Sequence, residues 1–391
     1  MNNNKISNLI KGSLKQNAMV IALGVVILLF LILTEGVLLQ PLNISNIIQQ
    51  NAYVMVLAIG MLLCILICGN IDLSVGSVVG FVGAISALLI IKMEMPVLPA
   101  ILISLAVGFV IGVWHGIWIA YVGVPAFIAT LAGQLIFRGL TMVVLNGTSL
   151  APLPESYTFM AAGFVPDIAS IGDVNLLAIL TGVVASGLFI VSELSKRRNK
   201  RRYNFAVPSL LAFWLRIALI VIVINFFTVQ LSSHRGLPMS LVVVVVLVLI
   251  YSFVTNKTIP GRHIYAYGGN PKAAVLSGIK TKRILFWVYV NMGFLSALAG
   301  IIFTGRLNSA TPKGGNGFEL DAIASCFIGG ASTTGGIGTV VGAIVGGLLM
   351  GVLNNGMSIM GVSIDWQQAI KGFVLIAAVG FDVWTKSRTK A

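Results

Sequence analysis

Eleven long apolar stretches separated by short polar breaks run along almost the whole chain. They lie at about 19–40, 51–68, 73–91, 97–122, 125–145, 174–193, 208–229, 237–255, 285–305, 335–353 and 366–384, with a shorter apolar piece at 323–328. A helix needs about 20 mostly apolar residues to cross the hydrocarbon core of a bilayer. In lipid no water is available to backbone N–H and C=O groups, so such runs must close their hydrogen bonds internally. A transmembrane barrel would instead alternate in segments of about ten residues, and the chain shows no such segments. The pattern predicts an all-α, polytopic membrane helical bundle.

Charge adds an orientation. Charged residues make up 9% of the 391 positions, against about 25% in soluble domains. The net charge is +14, and 18 of the 25 Lys and Arg cluster in the breaks or at the ends. Six lie in 196–202, and six more are Lys257, Arg262, Lys272, Lys280, Lys282 and Arg283. Lys5, Lys11 and Lys15 precede the first stretch, and Lys386, Arg388 and Lys390 follow the last. Clustered cations mark the cytoplasmic side, which assigns 195–204, 256–284 and both termini there. The segment 146–173 carries Glu155, Asp167 and Asp173 but no cation and faces outward. The cations occupy loops rather than a groove, which argues against nucleic-acid binding.

Two cytoplasmic ends demand an even number of crossings. The expectation is about ten transmembrane helices plus broken half-helices at the Gly-rich stretches 69–80 and 319–338. Residues 1–18 then form a cytoplasmic segment, 19–384 the transmembrane domain with its inward loop 256–284, and 385–391 a cytoplasmic tail. The first run is too long for a signal-peptide core and lacks a small-x-small cleavage site, so it reads as a retained span. Both Gly-rich stretches place an Asp before an interrupted helix: Ile71-Asp72-Leu73-Ser74-Val75-Gly76, and Glu319-Leu320-Asp321-Ala322 followed by Gly329-Gly330 and Gly335-Gly336. Interrupted helices in matching halves mark pathways in transporters, so two pseudo-repeated halves are expected.

The few polar residues inside apolar segments are the candidate pathway: Asp72, Ser74, Gln134, Arg138, Asn291, Asp321 and Ser325. An acid deep in a membrane costs about 2.5–3.5 kcal/mol on insertion scales. Asp72 and Asp321 therefore either cap helix N-termini or line a polar route, and the two roles are compatible. Gln134 and Arg138 are four apart and share a helix face. Asn291 serves either a solute or a neighbouring helix, and Trp114 and Trp118 suit packing or an interfacial belt. Gly108, Gly112 and Gly116, Gly342 and Gly346, and Gly347 and Gly351 form ridges that let helix backbones approach closely.

The remaining chemistry is sparse. Cys64, Cys68 and Cys326 read as packing residues, and His115, His234 and His263 are scattered, so no metal site is expected. No catalytic constellation and no cofactor of the chain's own is indicated. The Gly-rich stretch 329–338 lacks the Gly-Lys-Ser/Thr ending of a phosphate loop, so ATP, if used, is bound elsewhere. The inward loop contains Gly269-Asn270-Pro271-Lys272-Ala273-Ala274-Val275-Leu276-Ser277-Gly278. It predicts a short amphipathic helix with Gly278 in the left-handed conformation at its end. Its small alanines suit close docking into a partner's groove.

At these residues the chain resembles the permease subunits of bacterial ATP-binding-cassette sugar importers, in particular the xylose and multiple-monosaccharide permeases of the group that includes ribose and galactose permeases. The resemblance is carried in order by Gly69-Asn70-Ile71-Asp72-Leu73-Ser74-Val75-Gly76-Ser77, Phe127-Ile128-Ala129-Thr130-Leu131-Ala132-Gly133, 268–279 and 319–338, and runs from about 19 to 384. It implies a cytoplasmic ATPase subunit docking on Gly269, Asn270, Pro271, Lys272, Ala273, Ala274 and Gly278. It also implies a periplasmic or lipid-anchored sugar-binding protein, a second permease copy, and a place in the bacterial inner membrane. Lys272 stands where the general loop has a glutamate. A self-powered carrier driven by an ion gradient, or a permease of the same fold for another solute, is the alternative.

Overall fold

In the computed structural model, which describes residues 19–167, 170–171, 174–205, 207 and 209–390, the apolar stretches are helices. In chain order these are α1 (Met19–Leu33), α2 (Pro41–Leu66), α3 (Val75–Ala87), α4 (Val97–Gly116) and α5 (Ala126–Leu145). Next come the short α6 (Glu155–Ala162), a two-stranded antiparallel ribbon of β1 (Ser170–Ile171) and β2 (Val174–Asn175), α7 (Leu176–Arg202), α8 (Leu210–Ser232) and α9 (Met239–Lys257). The chain continues through α10 (Ile259–Gly269), α11 (Pro271–Leu276), α12 (Thr281–Leu307), α13 (Phe318–Ile328), α14 (Val340–Ile359) and α15 (Ile364–Lys390). Both α3 and α4 are prolonged by π-helical turns, to Lys92 and Val122. Among the described residues nine helices are long and apolar enough to cross a membrane, alongside the shorter apolar α1. The predicted segment 1–18 with its three lysines, and Asp173, lie outside the described residues.

Three boundaries differ from the hydropathy reading, each for a physical reason. Helix α2 begins ten residues before the predicted 51, because its polar first turns are satisfied by protein rather than water. The Asn43 amide donates to the Leu38 carbonyl at 2.9 Å and to Asn355 Oδ1 at 2.8 Å, Gln49 donates to the Ala162 carbonyl at 3.2 Å, and Asn51 to the Ile47 carbonyl at 2.7 Å. Helix α7 continues past 193 through the basic run to Arg202, where cations complement the helix C-terminus. Helix α15 likewise runs through most of the expected tail.

The centre of the bundle is α2, packed on α12, α13, α14 and α9, and α3 joins it through α12; their buried side chains form one continuous core. The glycine ridges do what their spacing predicts. A Cβ on Gly108, Gly112 or Gly116 of α4 would strike Ala297, Val290 or Phe286 of α12. On α14, Gly342 and Gly346 face the backbone of Gly329 and Ser325 at the end of α13. The α7–α8 hairpin packs mainly on itself, at the edge.

Candidate functional site

The half-helix α13 is the organising element. Gly317, at φ 79°, turns the chain into it, and Glu319 and Asp321 occupy its first turn. Carboxylates are favoured there by the partial positive charge of the free N–H groups. The two acids face different neighbours. Glu319 Oε1 accepts from Gln134 Nε2 of α5 at 3.2 Å, while Arg138 Nη1, one turn along α5, donates to the Gly314 carbonyl at 2.8 Å. Asp321 is paired with Lys371 of α15 at 3.0 Å, and Ser325 donates to the Asp321 carbonyl at 2.6 Å.

Helix α3 meets the same segment through its glycines. A Cβ on Gly76 would strike the Gly315 carbonyl and Glu319 Oε2, and one on Gly80 the Gly314 carbonyl. The broken stretch at Gly76 and the turn at Gly315 that leads into the other, 239 residues later, therefore lie backbone to backbone. Just before α3, Asp72 Oδ1 accepts from the Ser74 N–H at 2.9 Å and from the Ser74 hydroxyl at 2.6 Å. This is a turn closed by the side chain, and Ser74, not Asp72, is the N-cap. Neither acid is a cap: Asp321 lies inside α13, where it neutralises a lysine.

Beside Ser74 lies His115 of α4, admitted by Gly133 of α5, on which a Cβ would run into the imidazole Nε2. His115 Nε2, the Tyr289 hydroxyl and Glu319 Oε2 are buried without a hydrogen-bond partner among the described residues. Of the predicted pathway residues, the structure thus gathers Asp72, Ser74, Gln134 and Arg138 around α3, α5 and the entry to α13. It places Asp321 against Lys371 of α15, and Ser325 against Gly346 and Gly347 of α14. Asn291 accepts a hydrogen bond from Tyr251 of α9, an interhelical tie, and Trp114 packs against His115 and Phe137. None of His115, Tyr289 and Glu319 was among the pathway residues expected from the sequence. Glu319 carried a signal, being a second acid in an apolar stretch. His115 carried one too, as an ionisable residue in the apolar run 97–122, whereas Tyr289 carried none, because the neighbours that bury it lie far away in sequence.

The loop 256–284 is built as its residues suggest. Asn270 Oδ1 accepts from the Ala273 N–H at 3.0 Å, capping α11, and Pro271 fills the first turn. Gly278 ends it at φ 78°. Ala274 is buried while Lys272, Ala273, Val275 and Leu276 are exposed, Leu276 at 89%. The loop is anchored on the bundle at Gly268. A Cβ on Gly268 would overlap the Leu66 carbonyl and approach the Gly336 N–H, whereas Gly269 faces open space. The Gly336 N–H donates to the Leu66 carbonyl at 2.9 Å, and the Tyr265 hydroxyl donates to the Gly338 carbonyl at 2.7 Å. Burial raises the Tyr265 phenol above its ordinary range, so it stays protonated as a donor. The loop is thus joined to the ends of both broken stretches.

Residues 43–379 match the family described as branched-chain amino acid transport system / permease component. The chain belongs to this family. It is 38% identical over 370 residues to the xylose transport system permease protein XylH of Haemophilus influenzae, covering 95% of this chain and 96% of that protein. XylH of Escherichia coli K12 is 37% identical over 95% of this chain and 92% of its own length. The ribose import permease protein RbsC of Bacillus subtilis is 34% identical over 92% of this permease and 91% of its own length. No solved structure matches the chain.

Proposed function

We propose that the chain is the membrane-spanning subunit of an ATP-binding-cassette importer. It would carry a monosaccharide of the xylose, arabinose, glucose or galactose class across the bacterial inner membrane. One observation carries this reading: the end-to-end match to relatives named as pentose permeases. The buried, unpartnered polar atoms of His115, Tyr289 and Glu319 support it, since a neutral sugar presents hydroxyls that both donate and accept.

Energy enters through a separate ATPase subunit docking on α11, whose apolar Val275 and Leu276 stand exposed. Force applied there passes through Gly268 to Leu66 and Gly336, and so to the turns that precede α3 and α14. A second copy of the chain covers α5. Arg138 lies on a face with exposed Leu131 and Leu135, and a guanidinium left to lipid there costs about 2.5–3.5 kcal/mol. A sugar-binding protein delivers the solute on the outer side.

Uptake of labelled xylose, arabinose, glucose, galactose and leucine by cells with and without the chain tests the reading. Loss of one or a few sugars with leucine unaffected is expected. Unchanged uptake of every pentose and hexose overturns it, as does uphill transport by the chain reconstituted alone.

A further inference from the structure

The basic run at the end of α7 is left unexplained by transport. Helix α7 is 27 residues long, and 22 residues separate Leu176 from Arg198. At about 1.5 Å per residue that is about 33 Å, just past a hydrocarbon core of about 30 Å. Arg198, Arg201 and Arg202 therefore reach the level of lipid headgroups. Tyr203 and Phe205, both exposed, follow at once, as aromatic side chains do at that depth.

The cations of the run divide by partner. Glu193 is satisfied by Lys196 at 2.8 Å, with Arg216 of α8 at 3.9 Å. Arg197 is buried and lies 4.5 Å over the Phe213 ring, tying α7 to α8. Arg198, Arg201 and Arg202 share the opposite face with Ser195 and Asn199. Together these five line an open cavity of about 780 Å³. Among the described residues no carboxylate lies within 4.0 Å of these three arginines. The helix face below them is apolar and uncovered, with Leu188, Val191 and Leu194 exposed. A guanidinium fork matches a phosphate in geometry and charge. The pairing of such forks with an apolar strip directly below suits an amphiphile.

We propose that Arg198, Arg201 and Arg202 bind the phosphodiester headgroup of an anionic phospholipid of the inner leaflet, with its acyl chains lying along α7. Ser195 and Asn199 donate hydrogen bonds to the same headgroup. Clusters of basic residues at the end of a membrane helix attract anionic lipid in this way.

The test uses the full chain purified in detergent and exchanged into phosphatidylglycerol or phosphatidylcholine, with retained lipid counted by native mass spectrometry. Wild-type protein retains phosphatidylglycerol with a preference of about tenfold or more, and R198Q/R201Q/R202Q loses that preference. The variant R198K/R201K/R202K, which keeps the charge but not the fork, retains a preference between the two. A K280Q/K282Q/R283Q control, with three cations removed from a different loop, retains it in full. Equal retention by R198Q/R201Q/R202Q and wild type overturns the proposal. So does protection by glycerol phosphate or inorganic phosphate alone that matches the lipid, because that result assigns the cavity to a soluble anion. Helical circular dichroism of R198Q/R201Q/R202Q unchanged from wild type confirms that the loss belongs to the headgroup contact, and collapse of that signal transfers the test to the lysine variant, whose loss of preference to the phosphatidylcholine level overturns the claim.

Discussion

Helix α8 is the more hydropathic of two helices that could hardly be treated more differently by the fold: α2 is 83% buried across its most apolar window and α8 only 11%. In water the greasier helix would be inside. In a bilayer the lipid is as apolar as a leucine, so hydrophobicity gives no reason to bury one helix against another. What brings α2, α3, α12 and α14 together is close approach at glycines and polar side chains that need partners. The α7–α8 hairpin carries few of either on its outer faces and stays at the edge. The interior of this permease is therefore marked by small and polar residues, and its periphery by unbroken Leu, Ile and Val.

That contrast is open to direct attack. The largest effect is expected from ion pairs. Lys371→Ala strands the buried Asp321 carboxylate, whose side chain is 7% exposed, and lowers stability by about 3–5 kcal/mol. Lys196→Ala, which breaks a pair whose lysine is 65% exposed, costs no more than about 0.5 kcal/mol. Unfolding midpoints in mixed micelles measure both, and equal costs would erase the distinction.

Gly268→Val forces a side chain into the Leu66 carbonyl and costs about 3 kcal/mol, with loss of uptake. Gly187→Ala, on the uncrowded hairpin helix α7, stabilises by about 0.5–1 kcal/mol. Thermal denaturation followed by fluorescence-detection chromatography separates the two signs.

Leu62→Ala, at a fully buried position of α2, costs about 2 kcal/mol. This is the low end for a core leucine, because only the packing loss remains when the reference solvent is lipid. Leu219→Ala on α8, 63% exposed, stays within about 0.5 kcal/mol. Chemical unfolding of the pair decides whether burial rather than hydropathy sets the cost.

The smallest structural effect is predicted for Leu276→Ser. Its side chain touches little of this chain, so the unfolding midpoint stays put while ATP-driven uptake falls severalfold. Full uptake by this variant would remove α11 from the docking face.

Much of the architecture was legible in the chain of residues. Helices are dictated by local hydrogen bonding in lipid, so their existence, the ridge spacing of Gly108, Gly112 and Gly116, and the capped helix at Asn270–Gly278 could be read directly. The polar first half of α2 was missed, because Asn43 and Gln49 look like loop residues until Asn355 and the Ala162 carbonyl supply their partners. The candidate site was half legible. Intramembrane charges announced Asp72, Arg138 and Asp321, and His115 was as visible an ionisable residue, while Tyr289 looked like an ordinary member of an apolar helix.

Local composition by itself determined that this protein is a bundle of membrane helices with a basic loop between two of them, since those properties depend only on neighbours a few residues apart. Tertiary structure alone decided which helices are central, that the stretch at Gly76 lies against the one at Gly315, and that Gly268 anchors the loop on Leu66 and Gly336. Those are contacts between backbones hundreds of residues apart, and in lipid no periodicity of apolar side chains encodes them.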